Sequence, residues 1–264
     1  LPKLDPKPHQ LNPSPPFTTA KLQQESFRKL GYSVSQTMSV AQRLYEAGLI
    51  TYMRTDSISL SQEALTHINT YVKDAYGNQY AESRQFKTLA KGAQEAHEAI
   101  RPAHRVFRSV AEVEKTLGKD AAKLYDLIWK RTVASQMTPA KLKQTAVTIQ
   151  NQKTEFRANG QVILFPGYMR VYVEGRDNPE KDLANKERIL PALTDGETLN
   201  CQELDSESHT TKPPVRYTEA SLVKALEENG NGRPSTFASI VGPIVRRGYV
   251  DGSSGKLPTH VHGL

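Results

Sequence analysis

The spacing of apolar residues changes twice along this chain, and both changes limit the possible folds. In the first half the spacing is helical, as TTAKLQQESFRKLG shows from Thr18 to Gly31. From about residue 141 to residue 209 it is typical of strands, as in 145–149 and 161–165, and helical spacing returns after residue 211. The sequence therefore predicts an α+β fold with a β-rich segment between two helical ones.

Capping residues and glycines set the bounds of the predicted helices. Before the β-rich segment we expect helices over 18–31, over 35–48, from Ser59 or Ser61 to Gly77, and over 112–117 and 121–135. In the second of these helices the buried stripe is predicted to be Val40, Ala41, Leu44 and Tyr45. In the third it is predicted to be Ala64, Leu65, Ile68, Tyr71, Val72 and Ala75.

The first sixteen residues are rich in proline and lack apolar periodicity, so we expect an extended lead-in before Phe17. The stretch around Phe17 resembles a second stretch near the end of the chain. Both stretches read Pro-Pro, aromatic, helix, Gly, polar turn, helix, Gly, then an aliphatic strand, with equal spacing over Gly31–Thr37 and Gly230–Thr236. Helix, turn, helix and strand is the order of a helix-turn-helix with a wing.

Composition restricts the function classes. Lys and Arg number 35 against 28 Asp and Glu, a formal net charge of +7 that suits a polyanionic partner without requiring one. The single cysteine, Cys201, excludes an intrachain disulfide and a multi-cysteine zinc site. No apolar run approaches the roughly 18 residues of a membrane span, so we expect a cytoplasmic protein with no membrane partner.

The stretch LITYMRTDS, Leu49–Ser57, carries the first candidate chemistry. It is predicted to be a short strand in which Ile50, Tyr52 and Arg54 share one face. A free phenol has a pKa near 10 and is a poor nucleophile, but a neighbouring guanidinium can hold a phosphate oxygen and neutralise developing charge. The pair suits attack on a phosphodiester, but taken alone an ordinary strand with a surface arginine is the better interpretation.

Two further stretches can contact phosphate. QEAHEAIRP, Gln94–Pro102, is predicted to be a short helix that places His97 and Arg101 on one face. The alternative is a solvated pair of Glu98 and Arg101. A zinc site of the HExxH type is excluded, because the fifth residue of HEAIR is Arg101 and not histidine.

In ENGNGRPSTFASI, Ser235 or Thr236 is predicted to cap a helix whose free N–H groups lie next to Arg233. The alternative is a generic loop. His260 and His262 form at most a weak metal pair, and a solvated tail is the simpler interpretation.

Together, PPFTTAKLQQE, LITYMRTDS, EAHEAIRP and GRPSTFASI, in this order along the chain, resemble the bacterial type IA DNA topoisomerases over nearly the whole chain. The resemblance implies that Tyr52 attacks single-stranded DNA, forms a 5′-phosphotyrosine link and so relaxes negatively supercoiled DNA. It implies that Arg54 positions the scissile phosphate. It also implies DNA contacts for Gln42, His97, Asn231, Arg233 and Thr236, although the family usually has an aliphatic residue where Asn231 stands.

The resemblance also implies a domain plan. Residues 1–10 would be a lead-in from a β arch, 11–139 a helical domain with a winged-helix-like unit and Tyr52, 140–210 the β arch, and 211–264 part of a second small helical domain along the DNA groove. The family holds Mg²⁺ on an N-terminal Toprim domain, and nothing like it occurs in this sequence. We therefore expect a core fragment of a nucleoid-associated enzyme, with no metal site of its own and no relaxation activity alone.

A different class of function remains open. The chain would then be a non-catalytic nucleic-acid-binding protein with paired winged-helix-like modules, in which Tyr52 is a strand residue and Arg54 a phosphate contact. A helical scaffold protein that does not bind DNA is a third, more distant alternative.

Overall fold

The computed structural model describes residues 2–86, 97–175, 193–211 and 215–250. They form two compact units. Of these described residues, 2–12, 139–167, 193–211 and 215 belong to the sheet unit, and the others make up the helical unit. The predicted α+β class is confirmed.

The described residues contain seven α-helices. They are α1 (Thr19–Leu30), α2 (Val34–Glu46), α3 (Gln62–Tyr76), α4 (Val110–Leu117), α5 (Lys119–Ser135), α6 (Glu219–Glu228) and α7 (Phe237–Arg246). Short 3₁₀ helices occur at Asn78–Tyr80 and Gly167–Arg170. None of these helices combines the length and the apolar composition that a crossing of a membrane requires.

The sheet unit is built on three antiparallel strands in the order β1 (Pro2–Leu11), β2 (Ala140–Asn151) and β3 (Thr154–Phe165). A two-residue turn joins β2 to β3, and within it Gln152 adopts a left-handed φ of 54°. The predicted strands 145–149 and 161–165 lie inside β2 and β3. The β-rich prediction extended too far, because residues 193–211 contain no strand.

The proline-rich start, expected to be an extended lead-in, forms the paired strand β1. Pairing runs from Pro2 opposite Ile149 to Leu11 opposite Ala140. The prolines of β1 are Pro2, Pro6 and Pro8, all an even number of residues apart, so their nitrogens face the same side of the strand. β1 is an edge strand, and such a strand can direct these nitrogens away from its partner without losing ladder hydrogen bonds.

The core of the helical unit follows the predicted stripes with three exceptions. The largest fully buried side chains include Phe17, Leu22, Leu44, Leu124, Tyr125 and Ile128. Tyr45 was predicted to be buried with Leu44, but its side chain is 40% exposed. Tyr71 is only half-buried, with ring contacts to Phe107 and Trp129, and Ala75 is exposed.

A buried arginine joins separate parts of the helical unit. The side chain of Arg131 on α5 is 3% exposed, and its Nε donates to the carbonyl oxygen of Pro15 at 2.6 Å. Its guanidinium lies 5.0 Å from the ring centre of Phe17 and 5.3 Å from that of Tyr172, and it pairs with Glu174. Because a buried charge is costly unless it is paired, these contacts hold both segments against α5.

The predicted repeat of helix, glycine, helix and glycine is confirmed in the helical unit. We call α1 with α2 the first helix pair and α6 with α7 the second. Each pair begins with a threonine N-cap, Thr18 or Thr218. Each ends with a left-handed glycine at φ 71°, Gly48 or Gly248, after which the next residue donates to the carbonyl five residues earlier.

The two helix pairs pack against each other, α6 on α1 and α7 on α2. A small cluster of buried apolar side chains lies between them, consisting of Ala20, Val34, Val223, Phe237 and Val241. A carboxylate adds a polar link, because Glu219 accepts a hydrogen bond from the backbone N–H of Val34 at 2.6 Å. This packing places the loop before α7 in the same unit as the tyrosine loop after α2.

We expect Phe17→Ala to lower the free energy of unfolding by about 3–5 kcal/mol, because it leaves a cavity in the core and removes the ring beneath Arg131. Urea denaturation at 25 °C measures the difference. Val106→Ala is the control, since Val106 is 83% exposed and should change the free energy by less than about 0.5 kcal/mol. Equal losses in the two variants would contradict this description of the core.

Candidate active site

The stretch that carries Tyr52 is a loop, so the strand prediction was wrong. Only Ile50 pairs in a β-bridge, and its partner is Pro102. Pro102 has no N–H with which to extend a ladder. The predicted shared face is also wrong, since Ile50 is 2% exposed whereas Tyr52 is 40% exposed and Arg54 is exposed as well. The loop therefore presents the phenol and the guanidinium to solvent.

The loop before Tyr52 is held by the side chain of Thr51. Its hydroxyl donates to the carbonyl oxygen of Ala99 at 2.7 Å and accepts from the N–H of Arg101 at 3.0 Å. The N–H of Thr51 also donates to the carbonyl oxygen of Arg101 at 2.9 Å. These bonds join the loop to the segment that follows His97.

The loop after Tyr52 is held by Thr19, the first residue of α1. The buried Thr19 hydroxyl donates to the carbonyl oxygen of Met53 at 2.7 Å and accepts from the N–H of Thr55 at 2.8 Å. The N–H of Thr19 in turn donates to the carbonyl oxygen of Thr55 at 2.9 Å. Thr19 thus provides hydrogen bonds for three backbone groups of a loop that has no strand partner. These bonds fix the path of the chain after Tyr52.

The predicted helix across Gln94–Pro102 is wrong for the part of this stretch that the structure describes. Residues 97–102 are not helical, and Gln94 to Ala96 lie outside the described residues. Arg101 is therefore not placed beside His97 by helical spacing. It pairs instead with Glu98, which accepts from its Nε at 3.2 Å and from a terminal nitrogen at 2.7 Å.

Glu98 anchors this segment electrostatically. It also accepts a hydrogen bond from the backbone N–H of Ser61, the N-cap residue of α3. Burial acts to raise the pKa of Glu98, but the hydrogen bonds from Arg101 and Ser61 outweigh burial, so the pKa lies below its ordinary value. The carboxylate form thus holds together the start of α3 and the segment that carries His97.

Four of the seven predicted site residues line one cleft of about 490 Å³ in the helical unit. They are Tyr52, Arg54, His97 and Arg233, and the lining also includes Thr55, Asp56, Pro234 and Ser235. Neither Arg54 nor Arg233 forms an ion pair with any residue that the structure describes. Two guanidinium groups without a carboxylate partner favour an anion in this cleft.

Two aromatic rings contact the ring of Tyr52. The ring of Tyr52 meets the ring of Tyr45 edge to face, with centroids 5.3 Å apart and planes at 68°. The ring of His97 lies on Tyr52 as well, at 6.1 Å and 33°. The nucleophile candidate therefore has a ring neighbour from α2 and another from the segment anchored by Glu98.

The other three predicted residues do not line the cleft. The side-chain amide of Gln42 donates to Glu46 at 2.7 Å, and Asn231 is exposed. Thr236 is the N-cap position of α7, as predicted, but its hydroxyl accepts from the N–H of Arg233 at 2.8 Å. The carbonyl oxygen of Arg233 also accepts from the N–H of Phe237, so the predicted free N–H groups at this helix start are partly used.

The environment of Tyr52 differs from that of the buried tyrosines. Burial raises the pKa of Tyr125 to about 12. Burial, together with the carboxylate of Glu25, also raises the pKa of Tyr172. Both effects oppose formation of a phenolate. Tyr52 is exposed beside two arginines, an arrangement that suits reaction with an anionic substrate.

No described part of the chain brings together three His, Cys, Asp or Glu side chains as a metal ion would require. His260 and His262 lie outside the described residues. The side chains described here therefore do not fit the Mg²⁺ that the family resemblance implies.

Sequence patterns missed Tyr45 and Thr19 as parts of the site. Tyr45 follows the buried Leu44, and a helical period assigns neighbouring positions to one broad stripe. Thr19 follows the capping residue Thr18, and no local pattern indicates hydrogen bonds to a loop more than thirty residues away. The sequence did offer one signal for Tyr45. Val40, Ala41 and Leu44 form an apolar stripe on α2 without it, so its ring is not needed for the core.

We expect Thr19→Val to destabilise the protein by about 1–3 kcal/mol, because it leaves the Met53 carbonyl and the Thr55 N–H unsatisfied. The Thr55 amide should exchange with solvent faster, which native-state hydrogen exchange measures. Thr19→Ser should restore protection. Thr70→Val is the control, since that exposed hydroxyl only donates to the carbonyl of its own helix. An unchanged exchange rate in Thr19→Val would mean that the hydroxyl does not hold the loop.

We expect Glu98→Gln to lower stability by about 1 kcal/mol at pH 7, because the neutral amide binds Arg101 more weakly. A lowered pKa stabilises the folded state above the unfolded value of about 4.3, and this contribution is lost as the pH falls through the folded pKa. The two proteins should therefore converge in acid. Urea denaturation from pH 3 to pH 7 measures the difference. Glu114→Gln, on the exposed surface of α4, serves as the control. A difference independent of pH would contradict the ionic origin.

Comparisons with known proteins agree on one family. A family model described as DNA topoisomerase matches residues 3–262. DNA topoisomerase 1 of Synechocystis sp. is 55% identical over 246 residues, which cover 92% of this chain and 27% of that protein. DNA topoisomerase 1 of Streptomyces coelicolor is 50% identical over 251 residues, covering 92% of this chain and 26% of that protein.

A solved structure shows the same likeness in three dimensions. Full-length topoisomerase I from Thermotoga maritima matches with a TM-score of 0.75 and 34% identity, covering 97% of this chain and 42% of that chain. The 264 residues therefore span about a quarter of the length of the curated relatives. This chain belongs to the bacterial type IA DNA topoisomerase family, and it corresponds to one part of such a protein.

Proposed function

We propose that this chain is the tyrosine-bearing part of an enzyme that cuts and rejoins single-stranded DNA. The observation that carries the proposal is the cleft in which Tyr52 lies with Arg54, His97 and Arg233. The cleft combines an exposed phenol with two arginines whose charge no described carboxylate neutralises. Family membership supplies the reaction class, and the cleft supplies residues suited to it.

Tyr52 is the proposed nucleophile. Its phenolic oxygen forms a bond to the phosphorus of a phosphodiester, and the bond from phosphorus to the 3′ oxygen breaks. The phenol loses a proton and the departing 3′ oxygen gains one, which leaves a 5′-phosphotyrosine link and a free 3′-hydroxyl. The reverse reaction reseals the strand. Because no bond energy is lost to water, the break can be held open while another strand passes.

Arg54 is the proposed partner of the attacked phosphate. It lies two residues after Tyr52 in the same exposed loop and lines the same cleft. A guanidinium can hold two phosphate oxygens at once and stabilise the charge that grows on them during attack. Its role depends on a fixed loop, and the bonds of Thr19 and Thr51 hold the backbone on both sides of Tyr52.

The remaining site residues are proposed DNA contacts. His97 and Arg233 line the cleft and would bind phosphates that flank the attacked one. Thr236 supports Arg233 through its hydroxyl, which makes its contribution indirect. Gln42 and Asn231 would contact DNA beyond the cleft, since both lie outside its lining.

The domain plan is proposed on the same basis. Residues 11–139 would be the helical domain with a winged-helix-like unit around Tyr52, and 211–264 a part of a second helical domain along the DNA groove. Residues 140–210 would form the β arch, which 1–10 would join. Support comes from the repeated helix pairs and from the three-stranded sheet that contains β1.

Several partners follow from the family. The substrate would be single-stranded DNA exposed in negatively supercoiled DNA within the bacterial cytoplasm and its nucleoid. A Toprim domain of the same polypeptide would face Tyr52 and hold Mg²⁺. Since the described side chains do not provide a metal site, no step above is assigned to a metal.

We expect a covalent adduct when the chain is mixed with a separately produced Toprim-containing remainder of a relative, Mg²⁺ and single-stranded DNA labelled at its 3′ end. The label stays on the protein after denaturation, because the downstream piece of DNA carries the 5′ phosphate. Tyr52→Phe should abolish the adduct. Tyr217→Phe, which changes another exposed tyrosine, should keep it.

An adduct that persists in Tyr52→Phe would contradict the assignment of the nucleophile. If DNA binds but no adduct forms with any combination of parts, the non-catalytic nucleic-acid-binding protein becomes the better interpretation. Relaxation of a supercoiled plasmid by the 264-residue chain alone would contradict the proposal that it is one part of a larger enzyme.

A further inference from the structure

Tyr45 is not one of the buried side chains that form the core. It lies in the last turn of α2, whose core contacts are made by Val40, Ala41 and Leu44. Its side chain is 40% exposed, and its ring contact is with Tyr52 at 5.3 Å. A single exposed aromatic residue is common on protein surfaces. An exposed ring in direct contact with the proposed nucleophile is a more specific arrangement.

The surroundings of Tyr45 match those of surfaces that bind single strands. Such surfaces combine cations that follow the phosphates with aromatic rings on which bases stack. The cations are Arg54 and Arg233, which line the cleft beside Tyr52. Tyr45 would supply the aromatic ring, since it contacts Tyr52 directly.

We propose that Tyr45 is a stacking platform for the nucleobase attached to the phosphate that Tyr52 attacks. The inference rests on the proposed function and names the binding site for one part of its substrate. A base is separated from its own phosphate only by the sugar. A phosphate at the hydroxyl of Tyr52 therefore brings the attached base within reach of a ring that already touches Tyr52.

The chemistry of the link identifies the nucleotide. The 5′-phosphotyrosine bond retains the piece of DNA downstream of the break, so the base in question is the first one on the retained piece. Stacking on Tyr45 would restrain this end while the strand is open. Because every base has a flat face, the platform tolerates any sequence.

Binding and photocrosslinking test the proposal on the chain itself. The probe is a short thymidine oligonucleotide in which alternate bases are 5-iodouracil, so that every register brings an iodouracil to the site. Fluorescence anisotropy at low salt measures the dissociation constant. Long-wavelength irradiation joins iodouracil to a stacked aromatic ring, and mass spectrometry of the digested protein identifies that residue.

We expect a crosslink on the peptide that contains Tyr45. Tyr45→Ala should weaken binding about 5- to 100-fold, as the loss of one base–aromatic stack does. Tyr45→Phe should bind within about twofold of the unchanged protein, because stacking requires the ring and not the hydroxyl. Tyr217→Ala removes a 55% exposed tyrosine elsewhere and should not alter binding.

Three results would overturn the proposal. They are unchanged binding in Tyr45→Ala, equal weakening in Tyr45→Ala and Tyr45→Phe, and crosslinks that map only to other residues. In each case retained binding by the unchanged chain would leave the proposed function standing. Failure of the unchanged chain to bind any single-stranded DNA would overturn both. Thermal unfolding of each variant shows whether it is folded, and an exposed residue should shift the melting temperature little.

Discussion

The hydroxyl of Thr19 is the contact on which the geometry of this site depends most. The loop around Tyr52 has no strand ladder, so its backbone groups need other partners. Thr19 supplies them by donating to Met53 and accepting from Thr55, and it does so from the first turn of α1, which is anchored in the core. Thr51 performs the same task on the other side of Tyr52. A loop held at both ends can present an exposed phenol in one position.

The second requirement is the packing of the two helix pairs. Arg233 is remote from Tyr52 in sequence, and it reaches the cleft because the loop before α7 belongs to a helix pair that packs on α1 and α2. The buried apolar cluster around Phe237 and the carboxylate of Glu219 hold that packing. The cleft is therefore a product of a repeated structural unit, in which the loop after the first copy carries the nucleophile candidate and the second copy adds a cation.

The predictions that failed share a physical cause. Helices such as α1 and α3 were predicted well, because their caps and apolar periods are local. The stretch around Tyr52 was expected to be a strand, but its polar groups bond to Thr19, Ala99 and Arg101 and not to a ladder. Residues 97–102 were expected to be helical, but their polar groups bond to Thr51 and Ser61. In both cases partners distant in sequence outweighed local propensity.

The sequence by itself determined most of the helices before residue 139, the strands at 145–149 and 161–165, the family resemblance and the identity of Tyr52 and Arg54 as candidates. These depend on local patterns and short motifs that can be read along the chain. Only the tertiary structure decided that Tyr52 lies in a loop, that Arg101 pairs with Glu98, and that Tyr45 is exposed beside the nucleophile candidate. The physical reason is that exposure, ring contacts and ion pairs depend on contacts between segments that are distant in sequence. The local spacing of apolar residues does not specify those contacts.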